Sequence, residues 1–162
     1  MSNERSEMSR PKAEQSDVKL LGIRQALLGA AAGLAGMASM APFLGLAWIL
    51  GAFDLAAVSG LSTIVGLGGF SLGLFIFVAG GMTTLPLLFV SLAVFMPGET
   101  VARKGAAFSA VVWTGFAVAF WTGQTGVTLA LFLVLSLLAH VAYGYVLGTV
   151  YGRYAHIPVY DV

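Results

Sequence analysis

Long apolar stretches separated by short polar ones dominate this chain. No Asp, Glu, Lys or Arg occurs within residues 55–98 or 105–152. Apolar runs of about 20 residues read as membrane-spanning helices, and the pattern predicts four of them. The first covers about residues 25–51 and the second about 70–96, ending at the turn signal "PGE". The third, about 105–121, is short, and the fourth covers about 127–150. Residues 53–69, "FDLAAVSGLSTIVGLGG", are uncharged after Asp54. They read either as a fifth span or as a short interfacial or re-entrant piece between the first two.

Charge decides between these readings. Lys and Arg collect on the cytoplasmic side of a membrane protein. Arg5, Arg10, Lys12, Lys19 and Arg24 precede the first span, Arg103 and Lys104 lie between the second and third, and Arg153 follows the fourth. With four spans all of these fall on one side; a fifth would move Arg103 and Lys104 across. The expected fold class is therefore all-α: a polytopic four-helix transmembrane bundle, both termini cytoplasmic, with residues 53–69 interfacial or re-entrant. Trp48 and Trp121 then sit at the outer ends of the first and third spans. All five tyrosines lie beyond His140, and the later ones reach the inner interface, where amphipathic rings belong.

Composition agrees. The 162 residues are 59% hydrophobic and only 9% charged, against about 25% charged in a soluble domain; mean hydropathy is +0.93. A net charge of +1 gives no field to attract nucleic acid, and the absence of Cys excludes disulfides, thiolate metal sites and a Cys nucleophile. Residues 1–18 are polar and contain Pro11, so a mobile cytoplasmic tail is expected rather than a cleavable signal peptide. The first span serves as an uncleaved signal-anchor, and residues 153–162 form a C-terminal cytoplasmic tail.

Lipid offers helices little hydrophobic reason to associate, so small residues and polar contacts mark their interfaces. The first span carries Gly29, Gly33 and Gly36. The fourth carries Gly144, Gly148 and Gly152 at four-residue spacing, and the same stripe runs back through His140 and Ser136. That spacing points His140 into the bundle. At its depth the other spans offer Ser39, Thr83, Thr84 and Thr114, a polar layer in which a neutral imidazole would bond a hydroxyl or carbonyl of a neighbouring helix. Pro86 adds a carbonyl freed near residue 82.

An ionisable residue inside a membrane is a functional candidate, so His140 is also weighed as a proton relay and as a cofactor or metal ligand. No acid lies within any span to extend a relay, and the second histidine, His156, lies past the last span. No cofactor, metal or catalytic residue is assigned. The glycines at 66, 68 and 69 lack the lysine of a phosphate loop, and no Ser–His–Asp or H-E-x-x-H set is present. Asp54 reads as an interface residue or helix cap. Glu99 and Arg103 read as an i,i+4 pair.

The order "MPGE" after the second span, "WTGF" in the third and "LAHVAYGYVLGTVY" in the fourth resembles an uncharacterised family of small four-span membrane proteins of halophilic archaea. The resemblance covers about residues 45–152. Such families often lie beside respiratory oxidase genes, so it implies an accessory-subunit role. The expected function is a non-enzymatic subunit of a larger membrane complex, possible partners being the bilayer, other membrane subunits or further copies of the chain. The alternative is a small homo-oligomeric transporter or channel built on the layer around His140.

Overall fold

The computed structural model describes residues 12–154, with 12–22 as backbone alone. Five helices carry these residues: α1 (Lys12–Ile49), α2 (Ala56–Ile64), α3 (Phe70–Phe95), α4 (Val101–Ala119) and α5 (Gly126–Tyr154). There is no strand among the described residues. The segments Ile23–Ile49, Phe70–Phe95 and Gly126–Tyr154 are long and apolar enough to cross a membrane. In α4 the uncharged part, residues 105–119, follows Arg103 and Lys104 and is about 22 Å long at 1.5 Å per residue.

One boundary differs from expectation. Helix α1 starts at Lys12, so residues 12–18 are helical where a mobile tail was expected. Ala13, Glu14, Gln15 and Lys19 are strong helix formers, and once the apolar span nucleates the helix they extend it at little cost. Residues 1–11, the C-terminal residues 155–162 and His156 lie outside the described part. Within 53–69, α2 has nine residues, about 13 Å, too short for a fifth span. An Asp54 Oδ1 accepts the Ala56 N–H at 2.8 Å where α2 begins, the capping role expected of it. Gly66 and Gly69, with φ of 74° and 112°, turn the chain into α3. There α2 packs directly on α3, where a Cβ at Gly73 would run into the Val58 carbonyl.

Helix α5 is the centre of the bundle, with α1 and α4 against it. Its glycines let backbones touch: a Cβ at Gly144 would meet the Gly105 carbonyl, and one at Gly148 the Val101 carbonyl. On the other flank Gly36 receives the Tyr143 ring, while Gly33 lies against the backbone of Gly81 and Met82. In lipid this replaces hydrophobic collapse as the source of association. The large side chains that face outward, such as Ile49, Phe75 and Val118 (73%, 68% and 79% exposed), suit a surface wetted by acyl chains.

The helix ends sort by chemistry. Val101 lies against Gly152, and Gly29 against Tyr151, so the part of α1 near Arg24, the start of α4 and the end of α5 share one end of the bundle. Arg24, Arg103, Lys104 and Arg153 collect there. Arg103 Nη1 pairs with Glu99 at 2.9 Å, and Thr100 caps α4 by accepting the Arg103 N–H. The opposite end holds Trp48 and Trp121. Its two turns are joined where Gln124 Nε2 donates to the Ala52 carbonyl at 3.2 Å.

Candidate functional site

Midway along α3 the helix widens into a π turn, Gly80–Thr84, just before Pro86. The Leu85 N–H donates to the Gly80 carbonyl, five residues back. Pro86 has no N–H to continue this register, so the Gly81 carbonyl is left without a partner in its own helix. The Tyr143 hydroxyl fills that vacancy, donating at 2.6 Å. The carbonyl freed by Pro86 is thus Gly81 rather than residue 82, since the π register shifts the orphan by one. Its partner is Tyr143, fully buried on α5.

His140 lies one turn before Gly144 and is 3% exposed. It does not bond a neighbouring helix as expected. Its Nδ1 lies 2.8 Å from the Ser136 carbonyl, one turn back in its own helix. A carbonyl can only accept, so Nδ1 carries the proton, and in the neutral ring Nε2 is left as an acceptor. The ring sits against Phe116, centroids 4.6 Å apart. Ser136 is the residue that reaches across: its hydroxyl donates to the Phe132 carbonyl at 2.5 Å and accepts the Trp113 indole N–H of α4 at 2.9 Å.

The hydroxyl layer expected around His140 is not assembled. Thr83 donates to the Ala79 carbonyl, Thr114 to Val111 and Ser39 to Gly36, each within its own helix. Thr83 and Thr114 face outward. Of the threonines considered, only Thr84 borders the same space as His140. That space is a cleft of about 420 Å³ between α3 and α4, with Met37 and Met40 of α1 behind it and the rings of Phe77, Phe116 and Phe120 along it. Thr84, Gly115 and Ala119 at its rim are exposed, so it opens sideways rather than toward either end of the bundle. Gly29, Gly33, Gly36, Gly144 and Gly148 all serve helix contacts and lie outside it. No cluster of metal-ligating His, Cys, Asp or Glu occurs among the described residues.

Over residues 23–162 the sequence matches the model of a family of unknown function, DUF6789. The chain belongs to this family. No curated protein and no solved structure matches it. The match to DUF6789 takes in every helix from residue 23 onward, and with them His140, Tyr143, Pro86 and the cleft.

Sequence reasoning missed Tyr143 and Trp113, each of which donates a hydrogen bond to another helix near His140. Tyr143 had a readable signal. It is a large polar-tipped ring three residues from His140, inside a glycine-rich stretch, so it shares the protected side of α5. Trp113 had none, since its partner depends on the rotation of α4.

Proposed function

We propose that this DUF6789 chain is a non-enzymatic, four-span membrane protein with both termini cytoplasmic, acting as a small subunit of a larger membrane complex. The topology draws support from the gathering of Arg24, Arg103, Lys104 and Arg153 at one end and of Trp48 and Trp121 at the other. In this reading α4 is the third span, its short uncharged stretch sealed along α5. The respiratory terminal oxidases are the complexes to examine first, on the resemblance noted in the sequence.

One observation carries the subunit role. The half of α3 before the π turn stands off α1, leaving an apolar groove of about 410 Å³ bordered by Leu34, Ala41, Gly45, Trp48, Leu74 and Phe77 among others. The groove fits the side chains of another membrane helix. A transporter built on a layer around His140 has less support, because Thr83 and Thr114 are turned away from it.

The test is purification of the tagged chain from its own membranes in mild detergent, with retained proteins identified by mass spectrometry. A partner should be retained in fixed ratio. It should be lost in Gly45→Leu, which fills the groove where a Cβ meets nothing within 4 Å. Recovery of the chain alone, or a partner indifferent to Gly45→Leu, would overturn the proposal.

A further inference from the structure

The groove between α1 and α3 leaves unexplained the second opening, the cleft between α3 and α4, which differs from it in chemistry. Behind its aromatic wall is one polar atom with nothing to bond. Among the described residues His140 Nε2 has no hydrogen-bond partner, and the only fully enclosed side-chain polar atom lacking one is Ser109 Oγ. Nε2 is therefore not sealed in protein; it faces the cleft that His140 lines. Burial of an acceptor without a donor is costly, and lipid acyl chains supply no donor. A molecule entering sideways from the membrane can supply one.

The rest of the cleft describes that molecule. Because Nδ1–H is committed to the Ser136 carbonyl, Nε2 accepts and cannot donate, so a hydroxyl suits it and an ester or ketone oxygen does not. Phe116 and Phe120 stack at 4.3 Å, with Phe77 edge-on to Phe120 at 5.8 Å, a wall suited to a flat ring. The volume, about 420 Å³, is within the range of about 300–1,000 Å³ usual for small-molecule sites. Gly80 and Gly115 border the cleft, and a Cβ at either would meet nothing within 4 Å. Helical glycine costs about 1 kcal/mol relative to alanine. No close helix approach requires these two, and their effect is to keep the cleft wide.

We infer that the cleft between α3 and α4 is a binding site for a lipophilic phenol, whose hydroxyl donates to His140 Nε2, whose ring lies along Phe116 and Phe120, and whose apolar tail leaves between the two helices into the bilayer. This is independent of the subunit role and of the groove that carries it.

The test uses the full-length chain in lipid nanodiscs, ¹⁵N-labelled at histidine and carrying His156→Gln, so that His140 is its only histidine. The probes are para-dodecylphenol, its methyl ether and dodecanol. The phenol should move the Nε2 resonance saturably. The ether, which cannot donate, should bind about tenfold more weakly, as expected for one lost hydrogen bond, and should leave the resonance in place. Dodecanol should move the resonance but bind more weakly than the phenol, having no ring. Gly115→Leu, which fills the cleft from a position where an added Cβ meets nothing within 4 Å, should abolish the response. An unmoved Nε2 signal, equal binding of phenol and ether, equal binding of phenol and dodecanol, or an unchanged response in Gly115→Leu would each overturn the assignment.

Discussion

Tyr143 and His140 lie three residues apart, yet their roles are distinct. Tyr143 closes a backbone vacancy between helices, whereas His140 bonds only within α5. Tyr143→Phe should therefore destabilise the bundle by about 1–2 kcal/mol, measured by unfolding in mixed micelles, because it leaves the Gly81 carbonyl buried and unpaired. Thr83→Ala should change stability by less than about 0.5 kcal/mol, since that hydroxyl is exposed and returns only to its own helix. Glu99→Gln should be equally mild, its pair with Arg103 lying in the open. The burial of His140 was legible from the spacing to Gly144 and Gly148. Its partner was not, because a histidine in a helix can always turn back to the carbonyl four residues earlier, and nothing in the sequence decides between that and a neighbour. The Asp54 cap and the Glu99–Arg103 pair were legible because both are local.

Among the long helices, α4 meets α5 backbone against backbone at Gly105 and Gly144. Gly144→Val should force these helices apart and cost about 1–3 kcal/mol. Gly152→Ala should be tolerated better, since its added Cβ meets only the Val101 side chain, at 3.3 Å. The glycine repeat announced an interface but not its partner helix, because spacing fixes a face and not what lies on it. The nature of 53–69 stayed open in sequence for a similar reason: an apolar run of that length fits a span or a half-span, and Gly66 and Gly69 decide by turning the chain before a span's length is reached. The start of α1 was misjudged because polarity was read as disorder, although Ala, Glu, Gln and Lys favour helix as strongly as they favour water. The π turn was foreshadowed only by Pro86, and the widening that places Gly81 opposite Tyr143 depends on both helices being present.

For the molecule as a whole, the absence of Cys makes orientation directly measurable. A single Gln124→Cys should react with a membrane-impermeant maleimide in intact cells, from outside, whereas a single Ser2→Cys should react only once the cells are permeabilised. Labelling of both from one side would mean that α4 does not cross. The three long apolar helices were legible from hydropathy alone. Helix α4 was legible as the short apolar run 105–121, but Arg103 and Lys104 keep that run below the length at which composition alone marks a span. The bond between Tyr143 and Gly81 joins groups 62 residues apart in the chain, which gives it a place in time as well as in space. At about 5–20 residues per second of synthesis, α3 exists for roughly 3–12 s before Tyr143 has been made. Throughout that interval its mid-helix carbonyl has no partner of its own, in a medium that supplies none. In the proposed topology the nascent α3 is therefore a helix that the insertion machinery must shelter until α5 arrives, and Tyr143→Phe would leave it waiting indefinitely.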